Sequence, residues 1–288
     1  MLHAPGVATV SIASVIAESA ATELDELAVE EPLEIRVSIP GDEQMLSRSL
    51  AVTMRTPGDD FQLAAGFLFT EGIVRQPEDI VHLHSTTANI VEVFLRPTVR
   101  INPSRMERQS FVSSSCGVCG KRSIAAVLAV QHHRLEPATP RVTPSIVHSL
   151  PRQQREQQST FDRTGGLHAA SLFTASGKLL SQFEDVGRHN ALDKLIGAEL
   201  LAGRIPLSDR LLLVSGRASF ELIQKASIAG IPLLAAVGAP SSLAVSLARQ
   251  SGMTLLGFVR EKRFNVYSDA GRMAEVPQLA RSRVKSEA

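Results

Sequence analysis

Between residues 211 and 259 the chain repeatedly switches between two periodicities. Short apolar runs at 211–214, 231–237 and 254–259 alternate with helical patterns at 220–229 and 242–250, closed by Gly230 and Gly252. Apolar strands joined by helical crossovers form a parallel sheet, which has to be covered on both faces. The handedness of such crossovers brings the three post-strand loops to one edge.

Those loops read Ser215-Gly216-Arg217-Ala218-Ser219, Gly238-Ala239-Pro240-Ser241-Ser242 and Arg260-Glu261-Lys262-Arg263. Open parallel sheets bind ligands at the carboxyl ends of their strands. Small residues admit a ligand close to the backbone, helix N-termini and serine hydroxyls offer donors, and Arg217, Arg260, Lys262 and Arg263 offer cations for phosphate. A nucleotide or phosphorylated ligand fits. The same turns also serve simply to build crossovers, and no Walker or dinucleotide fingerprint decides between the two.

Upstream the texture differs. Residues 33–39 and 46–55 read as strands, and 61–69 as a helix capped by Asp60 and stopped at Glu71-Gly72, with Thr56 and Asp59 in the preceding turn. Residues 90–95 read as a further strand. Residues 121–132 read as a short helix running into a polar stretch to about 160, taken as a linker or mobile cover. Residues 167–173 and 178–183 form a predicted hairpin, followed by a helix capped by Asn190 and ended by Gly203, where Arg188 and Asp193 are placed to pair. The expectation is an α/β chain, α+β overall: a disordered tail at 1–24, a small α+β domain at 25–110, a cysteine loop, short helix and linker at 111–160, an α/β domain at 161–271 and a second tail at 272–288.

Composition narrows the function classes. Thirty basic against 29 acidic side chains leave a net charge of +1, so no field of the whole molecule attracts nucleic acid or an anionic membrane. The uncharged run 226–248 is broken by Gly230, Pro232, Gly238 and Pro240 and reads as buried core. The first twenty residues lack Lys and Arg and make a poor signal peptide, so a reducing cytoplasm is the expected compartment.

The only two cysteines are Cys116 and Cys119, in Ser-Ser-Ser-Cys-Gly-Val-Cys-Gly-Lys with Arg122 following. Positive charge and a helix N-terminus lower a thiol pKa toward the reactive thiolate, and sulfur relay needs such a nucleophile. Three other readings compete. A structural zinc site lacks a second cysteine pair and would need His132, His133, His168 or His189. A dithiol oxidoreductase normally carries its pair after the first strand of a βαβ unit. Inert structural cysteines fit poorly with Ser and Gly neighbours. A zinc deaminase is set aside, because no His or Cys is followed two residues later by Glu.

Seven strings, RTPGDDFQLAAGFLFTEGIV (55–74), SSCGVCGK (114–121), TGGLHAA (164–170), EDVGRHNALDKLIG (184–197), SGRASFELIQKA (215–226), APSSLAVSLA (239–248) and GFVREKRFNVYS (257–268), resemble the formate dehydrogenase accessory sulfurtransferases, the FdhD family. The resemblance spans about residues 33–268. It implies a cytidine-deaminase-like, helix-covered mixed sheet and a homodimer. It also implies that a cysteine desulfurase donates persulfide sulfur to Cys116, with Cys119 as the second cysteine. The sulfur then passes to a molybdenum (or tungsten) bis-pyranopterin guanine dinucleotide destined for the formate dehydrogenase catalytic subunit. That cofactor is a bound substrate, and no metal of the protein's own is implied.

The family's cofactor-binding stretch falls on Phe258, Val259, Arg260, Glu261, Lys262 and Arg263. Ser215, Gly216, Arg217, Ala239, Ser241 and Ser242 join them from the loop reading, and His189 from its Gly-rich motif; His168 is a further candidate for orienting the ligand or moving a proton. The alternatives kept are a non-catalytic cofactor chaperone and a CxxC thiol oxidoreductase.

Overall fold

In the computed structural model, residues 6–40, 45–100, 135–136 and 138–276 are described. An antiparallel ribbon comes first, β1 (Val7–Ile16) with β2 (Ser19–Ala28). Next come β3 (Glu31–Pro40), β4 (Met45–Arg55), α1 (Asp60–Thr70), a 3-10 turn (Pro77–Asp79), β5 (Ile80–Thr87) and β6 (Ile90–Leu95). These strands make a sheet in the order β4-β3-β6-β5, parallel only between β3 and β6. Alternation decides its faces: Leu33, Ile35 and Val37 of β3 and Val91, Val93 and Leu95 of β6 are all buried.

The second half comprises α2 (Pro144–Glu156), α3 (Ser159–Thr164), β7 (His168–Thr174), β8 (Leu179–Asp185), α4 (Arg188–Leu201), β9 (Arg210–Val214), α5 (Phe220–Ile228), β10 (Leu233–Ala236), α6 (Ser242–Ser251), β11 (Thr254–Arg260) and β12 (Arg263–Ser268). A six-stranded mixed sheet runs β12-β11-β10-β9-β7-β8. Its centre, β9, β10 and β11, is parallel, as the crossovers require. One face buries Leu212, Val214, Leu234 and Leu255 against α4, α5 and α6, and the other buries Leu211, Leu213, Leu233 and Leu256 with Val147 and Leu150 of α2.

The apolar cluster on the first face also contains Leu33, Ile35, Leu63 and Leu68, so the N-terminal sheet and the C-terminal sheet share one core. Arg55 is buried within the N-terminal half. Its guanidinium holds Asp60 through Nε to Oδ1 at 2.9 Å and Nη2 to Oδ2 at 3.0 Å.

Several sequence expectations are corrected. Residues 7–24 belong to the β1–β2 ribbon and not to a tail; Val7 alone is buried, one side of β1 (Ala8, Val10, Ile12, Ser14) is half-buried, and most of β2 is exposed, so the apolar alternation is faint. Within the expected linker, α2 is a helix whose buried positions Val147, Leu150 and Gln154 form a narrow stripe in a polar background. At the C-terminus Arg272 and Met273 are buried, with Arg272 Nη1 donating to the Gly252 carbonyl at 2.6 Å and Nε to that of Thr139 at 2.6 Å.

Gly187, not Asn190, is the N-cap of α4, and Asp59, at φ 56°, is that of α1. Asn190 instead bonds Asp185 and the Met54 carbonyl. Asp193 pairs with Lys225 of α5 rather than with Arg188. The expected helix at 121–132, the cysteine loop and the outer tails at 1–5 and 277–288 lie outside the described residues.

Candidate functional site

Beyond the ends of the parallel strands the hydrogen-bond ladder continues through the loops. Val237 N donates to Val214 O at 3.0 Å, Gly238 N to Gly216 O at 2.9 Å, Ala218 N to Ala239 O at 3.1 Å and Ser241 N to Ala218 O at 3.0 Å. Phe258 N reaches Gly238 O at 3.1 Å from the neighbouring strand. The loops after β9 and β10 are thereby stitched into a rigid shelf. A Cβ on Gly238 would lie 2.9 Å from Gly216 O, so only glycine admits this backbone contact.

The predicted residues fall on this shelf in different ways. Ser215 is structural: its hydroxyl accepts from Ala169 N at 2.9 Å, and its own N–H donates to Ala169 O at 3.0 Å. Arg217 is exposed beside Gly216, and Ser241 caps α6 by accepting from Ala244 N at 3.2 Å. Ala239 is half-buried and Ser242 exposed. Arg260 folds back, its Nη1 donating to Val237 O at 2.7 Å and Val259 O at 2.8 Å. Glu261, Lys262 and Arg263 are exposed at the reversal from β11 into antiparallel β12 rather than in a crossover loop. Val259 is fully buried in the core of the second face and is removed from the shelf. Among the described residues Arg217, Lys262 and Arg263 have no carboxylate partner.

Phe258 stands apart. Its φ of +52° is a left-handed conformation that a bulky side chain rarely adopts, and its ring is 39% exposed. The backbone is held there by the bond to Gly238 and by a shift of register between Gly257 and Arg260. Such strain at a strand edge persists where the surroundings over-determine it, and it leaves Phe258 partly exposed beside the shelf.

Two histidines line the inner side. His168 opens β7, and its ring rests on Gly216, with Nδ1 3.2 Å from where a Cβ on that glycine would be. Burial, and then the charges of Arg188 and His189, hold its imidazole below the usual value of 6.5. His189, in the first turn of α4, is buried; its Nε2 lies 2.9 Å from Glu221 Oε2 and 3.3 Å from Ser219 Oγ. A carboxylate partner fixes Nε2 as the protonated nitrogen, leaving Nδ1 a buried acceptor without a partner among the described residues. The Arg188 Nε is likewise buried and unpartnered. Glu221 was missed, and Ser219, within the predicted loop, was not singled out. Their signal was Ser-x-Glu across the N-cap and first turn of a helix starting at the predicted ligand edge.

Beneath them Asp185 gathers the junction. Its Oδ1 accepts from Gly187 N at 2.8 Å and Asn190 Nδ2 at 3.1 Å, and its Oδ2 accepts from Thr56 N at 3.2 Å and lies 2.8 Å from Lys194 Nζ. Burial pushes this carboxyl up, against the pull of Lys194. Thr56 is thus a link between the N-terminal and C-terminal sheets, not only a turn residue. The structure brings His168, His189, Arg217, Gly216 and the α5 N-terminus together. Cys116 and Cys119 lie outside the described residues, as do His132 and His133.

A model of the FdhD/NarQ family matches residues 28–274. The chain belongs to that family. Among its relatives, a protein of Streptomyces coelicolor named sulfur carrier protein FdhD is 51% identical over 263 residues, 88% of this chain and 90% of that protein. One of the same name from Mycobacterium tuberculosis is 48% identical over 271 residues, 89% of this chain and 95% of the relative. The family's fold is also seen in a crystal structure from Desulfotalea psychrophila described as a formate dehydrogenase accessory protein. It superposes with a TM-score of 0.75 at 23% identity, covering 94% of this chain and all of the other. The mixed α/β architecture derived from the sequence is therefore the family's architecture. Among the described residues no helix is long and apolar enough to cross a membrane, and no cluster of His, Cys, Asp and Glu is arranged to hold a metal ion.

Proposed function

We propose that this chain is a sulfur carrier in the maturation of formate dehydrogenase, using Cys116 as a persulfide. The observation that carries the reading is the 51% identity, over nearly the whole chain, to a protein named sulfur carrier protein FdhD. The Cys116 thiolate attacks the outer sulfur of a persulfide on a cysteine desulfurase. The donor's S–S bond breaks, its cysteine leaves as thiolate, and Cys116 keeps the outer sulfur, so no outside electrons are needed. Lys121 and Arg122, close in sequence, favour the thiolate.

Release as sulfide requires two electrons. Cys119 supplies them by attacking the Sγ of Cys116, which expels the outer sulfur and leaves a disulfide that a cytoplasmic thiol reductant reopens. The receiving substrate is a molybdenum (or tungsten) bis-pyranopterin guanine dinucleotide, which passes on to the formate dehydrogenase catalytic subunit. Support for a dinucleotide comes from the shelf: Arg217, Lys262 and Arg263, without a carboxylate partner among the described residues, the N-termini of α5 and α6, and the partly exposed Phe258 suit pyrophosphate and base.

The test is mass spectrometry of the Cys116 peptide after incubation with a cysteine desulfurase and cysteine, paired with activation of formate dehydrogenase. One added sulfur atom on wild type, absent in Cys116→Ala together with activation, is the expected result. An unmodified Cys116 in a protein that still binds the cofactor replaces the reading with a cofactor chaperone. Disulfide turnover with a thiol reductant and no dependence on the metal replaces it with an oxidoreductase.

A further inference from the structure

The sulfur chemistry proposed for Cys116 uses neither His189 nor Glu221, yet these two form a buried pair at the shelf. Nε2 of His189 lies 2.9 Å from Glu221 Oε2 and 3.3 Å from Ser219 Oγ. Both partners belong to the start of α5, where Ser219 is the N-cap and Glu221 stands in the first turn. The Ser219 hydroxyl does not cap its own helix, unlike that of Ser241, which caps α6 by accepting from Ala244 N at 3.2 Å. It lies toward the imidazole instead. A carboxylate is well placed in the first turn of a helix, so Glu221 acts as an acceptor there and Nε2 has to be the donor.

That assignment leaves the other nitrogen no choice. In a neutral imidazole with Nε2–H, Nδ1 carries only a lone pair. Nδ1 is buried, His189 being 7% exposed, and it has no partner among the described residues. A buried acceptor left unpaired is costly and rare in folded proteins, and where one persists it calls for a working role. Its surroundings are those of the shelf. His189 is close enough to His168 for its charge to act there, and His168 rests on Gly216. Arg188, at the start of α4, has its Nε buried and unpartnered as well, and its charge also reaches His168. An acceptor and a cationic donor are thus both held near His168, the two hydrogen-bonding senses that a nucleotide's hydroxyl or amine and its phosphate require.

We propose that Glu221 determines which ligands the shelf accepts: by holding the proton on Nε2 it fixes His189 Nδ1 as an acceptor for one donor of a guanine nucleotide, either a ribose hydroxyl or the exocyclic amine of the base. This rests on the shelf being a guanine dinucleotide site and adds to it the pair of residues that tells one nucleotide from another. Glu221 is a positioning residue, and Nδ1 of His189 is the atom that touches the ligand. A site whose buried acceptor expects a partner rejects an analogue lacking it more strongly than the loss of an apolar contact would.

Isothermal titration of the full chain with guanosine diphosphate, its 2′-deoxy and 3′-deoxy analogues and inosine diphosphate tests this, on wild type, Glu221→Met and His189→Leu, with circular dichroism to confirm folding. The wild type is expected to bind the analogue that lacks the matched donor about tenfold or more weakly than guanosine diphosphate. Each variant is expected to lose that preference, its affinity for guanosine diphosphate falling to the level of the analogue. A deoxy analogue identifies a ribose hydroxyl as the donor, and inosine diphosphate identifies the amine. A wild type that binds all four equally, or variants that weaken all four by the same factor, overturn the proposal and leave the dinucleotide reading standing. A wild type that binds none of the four removes the dinucleotide reading and the proposal with it. Nitrogen NMR of wild-type His189 tests the tautomer without any variant: a proton on Nε2 is expected, and a proton on Nδ1 in the free protein overturns the proposal.

Discussion

Gly66 in α1 and Gly197 in α4 stand backbone to backbone: a Cβ on Gly66 would lie 1.9 Å from the Asp193 carbonyl oxygen, and one on Gly197 1.9 Å from that of Gln62. Neither neighbour is a side chain that can swing aside. This crossing brings the N-terminal sheet with its helix onto the C-terminal sheet, and with it Thr56 onto Asp185. Gly197→Ala is therefore expected to destabilise the protein by about 3 kcal/mol, the upper end of ordinary overpacking, read as a fall in the urea midpoint. Gly203→Ala, where a Cβ meets nothing within 4 Å but φ is +67°, is expected to cost only about 1 kcal/mol.

Next to that crossing Lys225 Nζ lies 2.8 Å from Asp193 Oδ2 and 2.9 Å from Thr70 Oγ1. Burial lifts the Asp193 carboxyl, which disfavours its charge. For Lys225, burial is outweighed by Asp193 and Glu71, which favours the cation. The two directions conflict, and the ionised pair is taken as the resting state because Asp193 Oδ1 accepts from both Lys225 and Thr70. Lys225→Met leaves a buried carboxylate without its cation and is expected to cost about 3–5 kcal/mol, whereas Lys225→Met with Asp193→Leu recovers most of the loss. A double-mutant cycle by urea unfolding measures both.

His168 gives the pH dependence. Its imidazole is held below 6.5 in the folded protein, so the unfolded chain binds the proton more readily. The stability tied to this group is then fully present above the unfolded value and is lost as pH falls toward the folded one. Stability is expected to decline as pH falls below the ordinary histidine value of 6.5, and His168→Gln to remove part of that slope. Asp185 and Asp193, lifted by burial, act in the opposite sense, so the single-site variant is needed to isolate the histidine. Urea midpoints across pH check the slope, and an NMR titration of His168 with a midpoint above 6.5 contradicts it.

At the shelf, Arg217→Ala is expected to weaken binding of guanosine diphosphate by about tenfold, the weight of one charge-assisted hydrogen bond. Isothermal titration at fixed low salt measures it, and unchanged affinity removes Arg217 from the ligand site. Arg260→Ala is expected to act differently, since Arg260 Nη1 is already held by strand carbonyls: stability falls with little change in affinity per folded molecule.

Phe258→Gly separates strain from function. Glycine accepts the left-handed backbone that costs another residue about 1 kcal/mol, so the variant is expected to be no less stable than the parent. Loss of the exposed ring is expected to weaken guanine nucleotide binding in the same titration. Unchanged binding means that the strain serves only the β11–β12 reversal.

The local sequence determined the elements that carry their own period. Residues 90–95 coincide with β6, and the three parallel strands and the two helices between them lie within one or two residues of where their apolar runs place them, because burial on both faces leaves a continuous apolar signature. The common edge of the loops after β9 and β10 followed from crossover handedness, whereas the loop after β11 is the reversal into antiparallel β12. What the sequence hid is what tertiary contact creates. The stripe of α2 is three residues wide in a polar helix, and the ribbon has only one half-buried side, on β1, to imprint a pattern. Asn190 and Asp60 looked like caps because their partners, Asp185 and Arg55, meet them only through the fold. The pairing of His189 with Glu221, 32 positions apart, and of Asp193 with Lys225 was likewise decided only when α4 and α5 packed side by side. Removal from water makes an unpaired charge too costly to keep, so the fold chose those partners where the linear order could not.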